Sequence, residues 1–195
     1  MRHVYSLLIL GLLTGCATPA KQEAMVPTAQ AAKPATPGAA ATPAAAPSAA
    51  TAHPALASTV SVDKIAGGEK TNPLWTSEID NEAFGGALKE GLRGQGLLAS
   101  GPAKYHVDAS LVKVKQPLFG FTMTVTSTVH YHVTNATGAV LMDEDIVADG
   151  IATTGDAFVG VKRLRLANEK SGKANIEAFI NRLVTVLITQ PPASS

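Results

Sequence analysis

Throughout Phe121–Val133 the chain alternates, with apolar or aromatic residues at odd positions apart from Ser127 and Thr122, Thr124, Thr126, Thr128, His130 and His132 between them. A period of two places one set on each side of a pleated strand, so this stretch predicts a long strand with one face in a core and one in water. A strand of that kind needs neighbours. Tyr105–Leu111 alternates in the same way, Asn135-Ala136-Thr137-Gly138 supplies a turn, and Val140–Ala148 reads as a returning strand with a ragged extension through Ala152. Consecutive strands with short connections predict an antiparallel meander.

Upstream, Val60–Ile65 reads as another strand closed by Gly67-Gly68. Ser77-Glu78-Ile79-Asp80 carries a hydroxyl able to cap free amides and two carboxylates suited to a helix N-terminus, so a helix is expected to start there. Phe84, Leu88 and Leu92 then recur every four residues until Gly94-Gln95-Gly96. Downstream, Ile176, Phe179, Ile180, Leu183 and Leu187 keep helical spacing, with an upstream boundary that Ser171-Gly172 is expected to loosen or divide. The fold class is α+β: a two-layer sandwich in the order β-α-β-β-β-α, with a four-stranded, mainly antiparallel sheet and two helices on one face.

Ahead of this domain the composition changes. Residues 17–58 contain 18 alanines and 7 of the 12 prolines. Proline at such short intervals removes amide donors and disfavours helix, so residues 16–58 are expected to be a disordered tether, reaching on the order of 35 Å as a coil and about 130 Å fully extended. The organisation expected is a signal over 1–15, the tether over 16–58, one domain over 59–190 and a disordered tail over 191–195.

The chain opens Met1-Arg2-His3 and continues through an apolar run, Leu7–Leu13, too short to span a bilayer. A charged start, a short apolar middle and small residues beyond form a secretory signal. Its last four residues, Leu13-Thr14-Gly15-Cys16, resemble the lipobox of bacterial lipoproteins. The resemblance implies cleavage before Cys16, a diacylglycerol on its thiol and an acyl chain on the new amino group; no other cofactor is expected. Ala17 is not the aspartate that commonly retains such proteins in the inner membrane, so the implied address is the outer membrane, with the domain facing the periplasm. Cys16 is the only cysteine, which leaves no intramolecular disulfide.

Arg2 is the only one of the 16 basic residues before Cys16, so a chain starting there carries equal numbers of basic and acidic groups. That balance lacks the basic stripe that neutralises phosphates and argues against nucleic acid as a partner. Gly155–Lys162 fails the phosphate-binding loop pattern, because Val161 follows Gly160 where lysine is required. There is no Gly-x-Ser-x-Gly elbow and no His-Glu-x-x-His helix. The expectation is a protein that is not an enzyme.

Three groups of residues remain as site candidates. A hairpin centred near Leu118 would set His106 across from His130 and Asp108 across from Thr128, with His132 on the same face, a patch resembling a metal site on what is otherwise an ordinary exposed strand face. Thr124, Thr126 and Thr128 belong to that uncovered face, which either reflects strand propensity alone or docks a partner. Arg163, Arg165, Asn168 and Glu169 form a polar cluster at an element boundary, readable as a surface ion pair or as an anion or partner site.

The domain resembles uncharacterised proteobacterial lipoproteins that share a segment like Asp156-Ala157-Phe158-Val159-Gly160 followed by Arg163-Leu164-Arg165-Leu166-Ala167-Asn168-Glu169, a likeness covering most of residues 75–183. In topology it is similar to the lipoprotein that plugs the lipopolysaccharide-insertion barrel and to auxiliary lipoproteins of lipid transporters. These resemblances imply a lipid-anchored module that binds an envelope protein or lipid.

Overall fold

In a computed structural model, residues 17–27, 49, 53–71 and 77–189 are described. The signal over 1–15, the lipidation expected at Cys16, most of the expected tether and the tail over 191–195 lie outside them. Four strands, β1 (Val60–Ala66), β2 (Tyr105–Lys115), β3 (Met123–Asn135) and β4 (Val140–Ala152), form one sheet in chain order. β1 pairs parallel to β2, and the other two pairings are antiparallel. The parallel pair needs a crossover, supplied by helix α2 (Asn81–Gly94). Helix α3 (Gly160–Thr189) packs against β3 and β4, so that two helices cover one face of the sheet. The expected sandwich is the observed one. No helix among the described residues is long and apolar enough to cross a membrane.

The odd positions of β3, Met123 through Val133, are buried without exception, including Ser127. Val107, Ala109 and Leu111 of β2 join them beneath Phe84, Leu88 and Leu92 of α2 and Ile176, Phe179 and Leu183 of α3. Tyr131 stacks on Phe179 at a centroid distance of 4.0 Å, and its hydroxyl donates to Asn175 Oδ1 at 3.0 Å. Asn175 Nδ2 in turn donates to Ile146 O, and Ser171 Oγ donates to Ser127 Oγ. This buried polar seam satisfies Ser127 within the core.

Three details depart from the sequence expectation. Asp80, not Ser77, caps α2, its side chain accepting from Ala83 N at 2.7 Å; the Ser77 hydroxyl donates instead to Thr18 O. α3 is continuous through Ser171-Gly172. Gly172 is there for room, since a Cβ would lie 2.7 Å from Met25 Sδ.

The third departure is larger. Residues 17–27, expected to open the disordered tether, are a strap laid over the helical layer and containing a short helix, α1 (Gln22–Met25). Ala17, Ala20 and Met25 are buried. Ala20 N donates to Glu78 O, Lys21 N to Glu169 Oε1, and Arg165 Nη1 to Thr18 Oγ1. The contacts advance along α3 from Arg165 through Glu169 to Gly172, and Pro27 reaches the vicinity of Gly91, Ile176 and Ile180. The strap thus fills the furrow between α2 and α3. Glycines in the helices make the space for it: a Cβ at Gly86 would strike Gln22, and one at Gly91 would press on Pro27.

Candidate functional site

Among the described residues the sheet face opposite the helices is uncovered, and β3 runs along its middle. Toward the Tyr105 end of β2 the face is histidine and aspartate; toward the Lys115 end it is threonine and aliphatic, with Lys113, Lys115 and Asp149 among them. Alternation predicted the parity correctly but not the offset. His106 pairs with Thr134 and Asp108 with His132, while His130 pairs with Ser110. Relative to the expected hairpin, β3 is displaced by four residues, because the β2–β3 loop sits further along the chain and a bulge falls between Leu111 and Lys113. His106 and His130 therefore do not face each other, nor do Asp108 and Thr128.

Each histidine is instead bound to a carboxylate of a neighbouring strand. His106 Nδ1 lies 2.9 Å from Asp63 of β1. His130 sits between Asp145 (Nδ1, 2.8 Å) and Asp143 (Nε2, 2.9 Å) of β4, and Asp143 also receives His132 Nδ1 at 3.1 Å. The Asp145 hydrogen bond is the main cause that raises the His130 pKa; desolvation opposes it, and the hydrogen bond to Asp143 and the charges of both carboxylates add to the rise. Asp143 is lowered, first by its bond to His132 and then by His130. Asp63 is lowered chiefly by the Ser61 hydroxyl. Among the described residues no three His, Cys, Asp or Glu side chains are grouped so as to hold a metal ion.

The other half of the face has a different chemistry. Thr124 pairs with Ile151, Thr126 with Asp149 and Thr128 with Val147. Thr126 Oγ1 donates to Asp149 at 2.6 Å. Val112, Val147 and Ile151 are large aliphatic side chains left exposed here. Threonine and aliphatic side chains share this strip with three exposed charges, Lys113 opposite Thr128 and Lys115 and Asp149 on either side of Thr126.

The arginine cluster is turned inward. Arg163, Asn168 and Glu169 are buried. Arg163 Nη1 donates to Ala157 O and Phe158 O, and Nη2 to Gly120 O at 2.7 Å, so one guanidinium ties the β2–β3 loop to the β4–α3 loop. Asn168 Nδ2 donates to Ser77 O at 2.6 Å. Arg165 and Glu169, 3.4 Å apart and little exposed, hold the strap. The cluster expected at the surface is instead taken up within the fold: Arg163, Asn168 and Glu169 pair with backbone groups, and Arg165 with the Thr18 hydroxyl and Glu169. Beside them, Asp156 accepts from Lys170, Thr153 N and Thr153 Oγ1, which lowers its pKa to about 2.

Sequence reasoning passed over the loop tips that Arg163 secures. Leu118 (90% exposed), Phe119 (85%), Phe121 (84%) and Phe158 (92%) stand in solvent. The signal available was three phenylalanines in two loops flanking glycine, Phe119-Gly120-Phe121 and Phe158 before Gly160.

No family model matches the sequence, and no curated protein does. Solved structures with related folds include a hypothetical protein from Chlamydia trachomatis, 11% identical, with a TM-score of 0.50 over 69% of this chain and 99% of that one. A DUF330 protein from Xanthomonas campestris is 8% identical, with a TM-score of 0.48 over 70% of this chain and 91% of that one. A protein from Caulobacter crescentus CB15, described provisionally as a lipoprotein, is 14% identical, with a TM-score of 0.43 over 54% and 85%. At these identities the chain resembles them in fold alone.

Proposed function

We propose that the protein is a non-catalytic lipoprotein, lipid-anchored through Cys16 at the outer membrane, whose domain binds an envelope protein or lipid on its open sheet face. The observation that carries this reading is the open strip of Thr124, Thr126 and Thr128, with Val112, Val147 and Ile151 exposed alongside and Lys113, Lys115 and Asp149 among them. A sheet covered by helices on one side offers its other side for association. The anchor reading is supported by Leu13-Thr14-Gly15-Cys16 following a short apolar run.

The test is photo-crosslinking in intact cells from a reactive residue at Thr124, Thr126 or Thr128, followed by mass spectrometry. A recurring envelope protein or lipid adduct from these positions, absent from Thr137 in the β3–β4 turn, is expected. Equal labelling from Thr137, or none from the strip, overturns the reading. Stoichiometric zinc or copper in the purified protein would favour the histidine half of the face as a metal site instead.

A further inference from the structure

The strap changes what a lipid on Cys16 would do. Ala17 is buried against the domain and Thr18 is held by Arg165 and Ser77. The Cα of Cys16 is therefore within about 3.8 Å of a docked residue, and no length of tether separates an anchor there from the domain. In chain order the strap comes directly after Cys16, and the long Ala/Pro stretch follows only after Pro27.

Ala17 also lies at a defined end of the molecule. β2 finishes there, β3 starts there, and β4 ends opposite the start of β3, with Met123 pairing Ala152. α3 begins at that end, where Arg163 reaches Gly120 O. The β2–β3 and β4–α3 loops belong to the same end, and they carry Leu118, Phe119, Phe121 and Phe158. Arg163, which pins those loops, and Arg165, which pins Thr18, are two residues apart on α3 and hence about 3 Å apart along its axis. The attachment point and the loops that carry the apolar tips are thus tied to the start of one helix, on opposite sides of it.

Exposed aromatic and leucine side chains at loop tips are costly in water and favourable in the interfacial layer of a bilayer, where an anchored protein is already held. We infer that this end of the domain rests on the membrane, with Phe119, Phe121, Phe158 and Leu118 inserted among the lipids beside the acyl chains of Cys16. The occupant of the patch is the phospholipid surface that holds the anchor, so the inference rests on the lipid-anchor reading above. It sets an orientation: the strands stand end-on to the bilayer and the open sheet face is presented sideways.

The test uses the full-length lipidated protein in vesicles of phosphatidylethanolamine and phosphatidylglycerol containing a doxyl-labelled phospholipid. With the Cys16 thiol alkylated, a single cysteine introduced by Phe119→Cys, Phe158→Cys or Thr137→Cys is labelled with an environment-sensitive fluorophore; all three positions are exposed. Quenching at 119 and 158 is expected to be several-fold stronger than at 137, which lies at the far end of the sheet. Equal quenching at the three sites overturns the orientation. Absence of quenching together with an emission shift at 158 that depends on protein concentration would assign the patch to a second copy and also overturn it. Intact mass is measured on the same samples: a free Cys16 thiol refutes the anchor itself, whereas acylated Cys16 without quenching at 119 and 158 refutes only the orientation.

Discussion

Met25 and Gly172 allow the strap to be tested with two alanine substitutions. Met25 is fully buried, and a Cβ on Gly172 would stand 2.7 Å from its Sδ and 3.2 Å from its Cγ. Truncating Met25 to alanine removes a large buried side chain and is expected to cost about 2–5 kcal/mol, with the upper end reached only if the site does not collapse. Gly172→Ala has two opposing effects. It gains about 1 kcal/mol of helix propensity in the middle of α3, and it overpacks the methionine by about 1–3 kcal/mol. In the parent protein the sum is about 0–2 kcal/mol of destabilisation. With Met25 already alanine the clash is gone, and the nearest remaining neighbour, Ile79 Cδ1 at 3.7 Å, is at ordinary contact distance; Gly172→Ala should then stabilise by up to about 1 kcal/mol. The sign reversal corresponds to a coupling of about 1–3 kcal/mol in a double-mutant cycle. Urea denaturation of the four proteins measures it, and amide exchange at Ala20 and Lys21 reports whether the strap has lifted. If Gly172→Ala has the same effect in both backgrounds, Met25 does not sit on Gly172 and the docked strap is refuted.

Other expectations follow from the same packing. Gly150 of β4 lies where a Cβ would collide with Ala167 O and Ser171 N, both backbone atoms of α3, so Gly150→Ala must push the helix off the sheet and should lower stability by about 3 kcal/mol or more; a thermal midpoint within a degree or two of the parent would contradict this. Asn175→Leu strands the buried Tyr131 hydroxyl at a cost of about 1–3 kcal/mol, and Tyr131→Phe in that background should recover part of it; no recovery would place the Tyr131 hydroxyl elsewhere. Arg163→Met is expected to raise amide exchange in the 116–122 and 153–159 loops together, since one guanidinium serves both, and a rise in only one loop would refute the shared brace. Protonation at the open face has a defined direction. His130, raised by Asp145 and Asp143, contributes stability fully below its unfolded value near 6.5 and loses it as pH climbs through the raised folded value; Asp143, lowered by His132 and His130, contributes above its unfolded value near 3.8 and loses it as pH falls through the lowered one. The ion pairs are thus strongest between about pH 4 and 6.5, and Asp145→Asn should lower the His130 midpoint in an NMR titration; an unchanged midpoint would refute the pairing.

The strands and the two main helices were legible because periods of two and of about 3.6 survive in this sequence with little interruption. Register was not. An even displacement of β3 leaves every side chain on its own face, so alternation is satisfied equally by the expected pairing of His106 with His130 and by the observed pairing of His106 with Thr134. The strap was hidden by composition, since Ala17, Pro19 and Ala20 read as the start of a linker. Its trace lay in the helices instead, where Gly86, Gly91 and Gly172 occupy positions that a helix would fill with better formers unless something had to approach. The cluster at Arg163, Arg165, Asn168 and Glu169 was misplaced for a related reason: charge predicts solvent, but two loops and a strap bring unpaired carbonyls and an amide to these side chains and bury them. The threonine strip was placed on the open face correctly, while the apolar loop tips have no periodicity to betray them.

In the proposed reading a lipid on Cys16 would place the domain at a membrane and, through the strap, set how closely it is held. Intact-mass measurement of the full-length protein purified from the membrane fraction of its host tests this most directly. The predicted species begins at Cys16 and carries a diacylglycerol and an N-linked acyl chain; a chain that retains residues 1–15, or one whose Cys16 is an unmodified thiol, would contradict it.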